Sequence, residues 1–228
     1  MLQGRVLING QAAQPGDQAD PAVDRIEVDG RLLPAPSQGL TLLLHKPRGV
    51  HATCHDPRGR RTVLDLLPQE LARGTGLHPV GRLDADSRGA LLLSNIGELT
   101  LALTHPRYQH PKRYLVWVAG NPSPAALHIW RQGVELDGQP SRPVQVDVLQ
   151  RSQQRSLLEL ELREGRNRQI RRTAELLGHP VLDLLRVAIG PIQLGQLEAG
   201  NWRWLQPQEE QALSTLITLA NGRESLPG

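Results

Sequence analysis

The chain predicts an α+β fold, a mixed and largely antiparallel sheet with flanking helices. Three observations predict it. First, Val144, Val146 and Val148 alternate with Gln145 and Asp147, and Leu158, Leu160 and Leu162 alternate with Glu159, Glu161 and Arg163. That period of two marks antiparallel strands with one buried face. Second, two short apolar runs, Thr41-Leu42-Leu43-Leu44 and Ala90-Leu91-Leu92-Leu93, have no polar alternation and read as strands buried on both faces. Third, helical spacing is confined to short windows with their own start and stop residues, so helices flank the sheet rather than build the core.

The elements follow in order. Residues 1–30 contain GRVLING, PGD and DRIEVDG, which give two or three short strands joined by tight turns. Leu33 to Gly39 is a linker by composition. The strand from Thr41 to His45 is broken by Lys46-Pro47-Arg48-Gly49. Asp56 to Arg61 is a basic turn, suited either to solvent or to a phosphate, and Thr62 to Leu71 suits a short helix. After the Ala90 strand comes a short amphipathic segment, and Lys112 to Val118 alternates as a strand. Ser123 to Gln132 suits a helix, with Ser123 as N-cap and Pro124 in its first position. Asn167 to Leu177 places Ile170, Ala174 and Leu177 on one helical face and stops at Gly178 and Pro180. Val181 to Ile189 and Pro191 to Leu194 return as strands, and Pro207 to Leu219 is a final amphipathic helix. No internal repeat is present.

Composition narrows the function classes. At 39% hydrophobic and 21% charged residues the chain is ordinary for a globular protein. No apolar run approaches the roughly 20 residues of a membrane helix, and the start has no apolar stretch followed by a cleavage site. With Cys54 as the single cysteine there is neither an internal disulfide nor a cysteine zinc site, which fits a reducing cytoplasm. No metal is expected at the eight histidines. Net charge is +3 and the isoelectric point about 9.6, a mild excess that suits a polyanionic partner. Lysine occurs only at Lys46 and Lys112, and every other one of the 26 basic residues is arginine. Base composition of the gene accounts for that ratio, but not for the clustering of five arginines from Arg163 to Arg172.

The stretch His78 to Pro106 holds the candidate chemistry. Asp84 follows Gly81-Arg82-Leu83 in a turn bracketed by Gly81 and Gly89 and anchored by an apolar strand. Aspartate is common in turns for backbone reasons alone, so this placement permits a reactive carboxylate without requiring one. GRLDADSRGALLLSN, however, resembles the G-R-L-D-x-x-(S/T)-x-G-L-L-L-x-(T/S)-N motif of the RsuA/RluB/RluE/RluF family of ribosomal RNA pseudouridine synthases. Three more blocks resemble the same family in the same order. They are HKPRGV from His45, HPKRYLVWVAG from His110, and EGRNRQIRRTAELLGHPVLDLLRVAIGPIQLGQLEAGNWRWL from Glu164. The resemblance spans about Leu40 to Leu205.

The resemblance implies a pseudouridine synthase fold with a central RNA-binding cleft, occupying residues 37–228. It implies that residues 1–36 are a partial S4-like RNA-binding segment plus linker, too small to bury much core alone. The helices that normally open such a domain have no counterpart here. Either the gene starts upstream of Met1 or the domain is reduced. The reaction breaks the uridine N1–C1′ bond, turns the base and forms C5–C1′, with no cofactor. Asp84 is implied as the catalytic carboxylate, as a nucleophile or as the base taking the 2′ proton. Either role needs it ionised in a site that excludes water, so a neighbouring cation is required. Arg171 is the implied partner, Arg82 the residue that fills the gap left by the flipped base, and Tyr114 the ring that stacks on the uracil. Lys46, Lys112, Arg166, Arg168, Ile170, Arg172 and Arg186 are implied to shape the cleft or bind RNA, with His45, Lys46 and Pro47 as cleft wall. One departure is Ile96, where the family has an aspartate that caps a helix, and Asn95 is the expected substitute.

The expected partner is ribosomal RNA, closest to the RluB-like large-subunit branch, with the small-subunit RNA as the alternative and a monomeric enzyme. A non-catalytic RNA-binding assembly factor is a second class, disfavoured by the joint presence of Asp84, Tyr114 and Arg171. A two-carboxylate hydrolase is a third, with Asp86 as its second acid.

Overall fold

The computed structural model describes residues 4–19, 23–32 and 39–224, with side chains as far as 218. Of the predicted linker, Leu33 to Gly39, residues 33–38 lie outside the described residues. The backbone divides into two compact units, Met1–Leu40 and Thr41–Gly228.

The first unit holds four short strands among its described residues, three of them within residues 1–30 as expected. They are β1 (Val6–Ile8), β2 (Gln11–Ala12), β3 (Ile26–Val28) and β4 (Arg31–Leu32), in the order β2-β1-β3-β4. Asn9-Gly10 and Asp29-Gly30 make both hairpin turns, with positive φ at all four residues (52°, 83°, 53° and 72°). That is the turn type whose twist matches paired strands. Of the unit's described residues only Ala13 is a buried apolar one.

The second unit is one mixed sheet. Its strands are β5 (Thr41–Lys46), β6 (His78–Pro79), β7 (Arg88–Ser94), β8 (Lys112–Ala119), β11 (Gln145–Arg151), β12 (Arg155–Leu162), β13 (Val181–Ile189), β14 (Ile192–Gln193) and β15 (Trp202–Trp204). A separate hairpin is formed by β9 (Glu135–Leu136) and β10 (Gln139–Pro140). The main order is β11-β12-β8-β13-β7-β5-β15, with β14 on β13 and β6 on β7. Every pairing is antiparallel except β13 with β7, which run parallel through Leu185↔Arg88 and Arg186↔Gly89.

The helices are α1 (Gln69–Ala72), α2 (Gly97–Thr104), α3 (Pro124–Gln132), α4 (Gln169–Leu176) and α5 (Pro207–Glu224). The predicted helix over Thr62–Leu71 splits into a 3₁₀ turn at Val63–Leu66 and α1. Pro68 is the cause, since it pushes Leu67 into extended backbone at φ −98° and ψ 154°. Ser123 caps α3, its Oγ accepting from the Ala126 N–H at 3.1 Å. Asn95 does not cap α2. The Ser94 hydroxyl accepts from the Ile96 N–H at 3.0 Å, and the Asn95 amide donates to the Thr75 carbonyl instead.

Two apolar cores result. One holds Val116, Val118, Leu158 and Leu160 with Leu127 and Trp130 of α3 and Ile170 and Ala174 of α4. The other holds Leu43 and Leu92 with Leu99 and Leu103 of α2 and Leu213 of α5. Leu42–Leu44 and Leu91–Leu93 are all fully buried, as a strand covered on both faces requires.

Candidate active site

Asp84 sits in the loop from β6 to β7. The Val80 N–H donates to the Leu92 carbonyl at 2.8 Å at one end, and the Ser87 N–H closes a turn on the Asp84 carbonyl at 3.0 Å at the other. From below, the Ala85 carbonyl accepts from the Gly49 N–H at 2.7 Å and from Lys46 Nζ at 3.5 Å. Gly89 makes the approach to β13 possible. It has φ +117°, and a Cβ there would lie 2.3 Å from the Arg186 carbonyl oxygen. The close neighbour that excludes a side chain at Gly89 is therefore backbone.

The loop forms one wall of an open cavity of about 530 Å³. Leu83, Asp84, Tyr114, Ile170, Lys112 and Arg186 line it, together with the turn from Arg163 to Arg171. Tyr114 is buried on β8, directly opposite Arg186 of β13 in the strand register. Ile170 is buried in the first turn of α4. The Asp84 side chain is 38% exposed. In the free protein water therefore reaches the carboxylate.

Among the described residues, the cation within ion-pair range of Asp84 is Arg168, not Arg171. Arg168 Nη1 lies 3.8 Å from Asp84 Oδ2. Arg168 is the N-cap of α4 at φ 48°, which swings its side chain out of the helix toward the loop. Its fork also holds Asp86 at 3.0 and 2.8 Å. Arg171, one turn further on, donates from Nη2 to the Asp86 carbonyl at 2.9 Å and to Ser87 Oγ at 3.1 Å. Its Nε stands 3.3 Å from Asp86 Oδ2, an ion-pair distance without hydrogen-bond geometry. Asp86, weighed from sequence only as a second acid, is the hub of this arrangement. Hydrogen bonding to Arg168 holds its carboxyl below the usual carboxylate range, against a smaller opposing effect of burial and with help from the Arg171 charge. A general acid needs the opposite shift, so the hydrolase reading has no second acid in Asp86.

The other expected residues separate into those at the cavity and those away from it. Lys46 is fully buried and is not cleft wall; neither His45, Lys46 nor Pro47 lines the cavity. Lys46 Nζ donates to the carbonyls of Pro47 at 2.9 Å and Val50 at 2.8 Å. Burial, with Arg186 close by and only partly offset by Asp84 and Asp86, lowers its pKa from 10.5 to about 8. Lys112 does line the cavity, and its pKa is lowered by burial and by Arg186. Arg172 is outside the cavity, forked onto Asp137 at 2.8 and 2.7 Å. Arg166 lines the cavity but spends its donors on the β9–β10 hairpin, at the carbonyls of Gln139 (3.0 Å) and Pro140 (2.6 Å). Arg82 is exposed at the cavity edge. Arg186 lines the cavity and is 3% exposed. His51 and His55 do have a four-residue metal spacing, beside Cys54. The stretch is a bridge residue followed by a bend rather than helix, and among the described residues no group of three His, Cys, Asp or Glu could hold a metal. Likewise no described helix is long and apolar enough to cross a membrane.

Comparison with known proteins bears on this cleft directly. The family model for RNA pseudouridylate synthase matches residues 41–176, which include Asp84, Tyr114 and Arg171. An uncharacterized RNA pseudouridine synthase of Aquifex aeolicus is 37% identical over 226 residues, 96% of this chain and 87% of the relative. The ribosomal large subunit pseudouridine synthase B of Bacillus subtilis is 35% identical over 219 residues, 94% of this chain and 87% of the relative. A crystal structure of a pseudouridylate synthase superposes with TM-score 0.71 at 30% identity, over 92% of this chain and 89% of the other. Agreement of this extent in both sequence and fold means that the chain belongs to the RNA pseudouridylate synthases, in the RsuA/RluB branch whose motifs it carries.

Proposed function

We propose that this protein converts one uridine of large-subunit ribosomal RNA to pseudouridine, with Asp84 as the reacting carboxylate. The observation that carries the reading is the placement of Asp84 on the wall of a cavity floored by Tyr114 and Ile170. That is room for a single flipped base between a flat ring and an aliphatic side chain. Binding RNA over the cleft removes the water now reaching Asp84 and leaves Arg168, 3.8 Å away, as its cationic neighbour. Arg171 acts by fixing the Asp86–Ser87 turn, and Arg82 at the cavity edge takes the space the base vacates. Lys112 and Arg168 supply positive charge toward the backbone, while Lys46, Arg166 and Arg172 act by holding protein, not RNA. The large-subunit assignment rests on the names of the relatives and on the RluB-like stretches GRNRQIRR and IGPIQLGQLEAGNWR. In this reading residues 1–36 are an S4-like segment that helps dock the RNA, the enzyme works as a monomer in the cytoplasm, and no cofactor takes part.

The test is a map of pseudouridine across both ribosomal RNAs in cells with and without the gene, complemented by wild type or Asp84→Asn. One large-subunit site lost on deletion and restored by wild type alone is the expected result. A small-subunit site would overturn the RNA assignment. Restoration by Asp84→Asn would overturn the role of Asp84.

A further inference from the structure

Arg186, one of the residues lining the cleft, has one guanidinium arm without a hydrogen-bond partner. Its side chain is fixed by two backbone carbonyls, Nε on Ala90 at 2.7 Å and Nη1 on Arg82 at 3.3 Å. The third nitrogen, Nη2, is buried and has no hydrogen-bond partner. No carboxylate lies within ion-pair range of Arg186 among the described residues, although Lys46 and Lys112 are close enough for its charge to lower their pKa values. A buried guanidinium with cationic neighbours and an unused donor is expensive, and such groups persist where a partner arrives later. The free arm belongs to a residue that lines the cavity and stands in register with Tyr114. At 3% exposure it is too deep for a phosphate on the RNA backbone, and with Tyr114 opposite it in the strand register, a base lying on that ring is the part of an RNA that comes nearest to it.

We propose that Arg186 Nη2 is the donor that holds a carbonyl oxygen of the target uracil and takes up the negative charge of the base when it detaches. This rests on the reading of the Asp84 cleft as the reaction site. When N1–C1′ breaks, the bonding electron pair leaves with N1 and spreads onto O2 and O4. When C5–C1′ forms, C5 gives up its proton and N1 gains one, so the overall change is an isomerisation. A donor aimed at that charge is worth more in the transition state than in the ground state. The symmetry of uracil adds a second use. Turning the ring about its N3–C6 axis exchanges N1 with C5 and, at the same time, O2 with O4. A single immobile donor therefore meets one carbonyl before the turn and the other after it. Arg186 is immobile because its other two contacts are main-chain atoms of β7 and the Asp84 loop.

The experiment is a set of single-turnover rates on a synthetic stem-loop built around whichever uridine the cellular map assigns. The target position carries uridine, 2-thiouridine or 4-thiouridine, since sulfur is the weaker acceptor. Because the stem-loop follows the map, an error in the subunit assignment does not disturb the test. With wild type both sulfur substitutions are expected to slow conversion. Arg186→Gln is expected to slow the uridine substrate on the order of a hundredfold, with RNA affinity within about twofold of wild type. In that variant the sulfur penalties should collapse toward unity. Sulfur penalties in Arg186→Gln as large as in wild type would overturn the proposal and leave Arg186 a clamp on the loop. Arg186→Lys, which keeps the charge but not the fork, serves if the glutamine variant is unstable, with the same sulfur comparison deciding.

Discussion

Asp84 has a neighbourhood made almost entirely of residues that hold other residues. Lys46 is the clearest case: its ammonium, fully buried, ties the Pro47, Val50 and Ala85 carbonyls beneath Asp84. Lys46→Met is expected to cost about 2–4 kcal/mol in urea unfolding, because it leaves buried carbonyls without a charged donor. It should also lower turnover more than RNA affinity. The pH dependence has a definite sign. The folded pKa of about 8 lies below the ordinary 10.5, so between those values the unfolded chain binds more protons. Lys46 therefore makes the protein more stable as pH rises through that window, and the rise should be smaller in Lys46→Met than in wild type. Asp86→Ala should free both Arg168 and Arg171 and reduce kcat roughly tenfold while the fold survives, an order suited to lost positioning; unchanged kinetics would show that the hub is dispensable. From sequence, Asp84, Tyr114 and Ile170 could be picked out because each sits in a motif. Which arginine approaches Asp84 could not, because it depends on one positive φ at Arg168. Nor does sequence show that Lys46 points inward, since a lysine after an apolar run ordinarily keeps its charged end in water.

Elements were legible where one local signal governs them. Ser123-Pro124 opens α3 as its residue types require, and Ser123→Ala should lower stability by about 1 kcal/mol with activity intact. The alternating leucines of β12 meet Val146 and Val148 of β11 across an antiparallel register. The helix that failed, across Thr62–Leu71, contained Pro68, whose effect on Leu67 overrides the apolar spacing. At α2 Ile96 occupies the N-cap position with no side-chain cap bond, and the expected substitute Asn95 donates its amide to the Thr75 carbonyl. Gly89 carries the heaviest constraint in the sheet, with a positive φ and a neighbouring main chain where a Cβ would go. Gly89→Ala is expected to destabilise by roughly 3 kcal/mol or more, since φ strain and a backbone clash add. Thermal unfolding would measure it, and a loss near that of a surface substitution would show that β7 and β13 can separate at that point.

Across the whole molecule, basic character and lysine content have come apart. One lysine is fully buried and the other lines the cleft, so the exposed positive charge among the described residues is guanidinium. An amine-directed reagent is therefore expected to modify Lys46 only after denaturation, and to modify Lys112 slowly unless the cleft is open. Bound RNA should protect Lys112 and leave Lys46 unchanged, as peptide mapping of the labelled protein would show. The parallel joint between β7 and β13 has a consequence for synthesis on the ribosome. The strands β8, β11, β12 and β13 come from one continuous segment, Lys112–Ile189. The strands β5 and β7 precede it, and β15, which closes the edge of β5, follows it. Chain emerging from the exit tunnel can pair β5 with β7 early, but one side of β5 stays an open edge until Trp202–Trp204 appears. The Asp84 loop acquires its Arg186 anchor only when β13 arrives, so a stalled nascent chain carries the Asp84 carboxylate long before it carries the completed cleft.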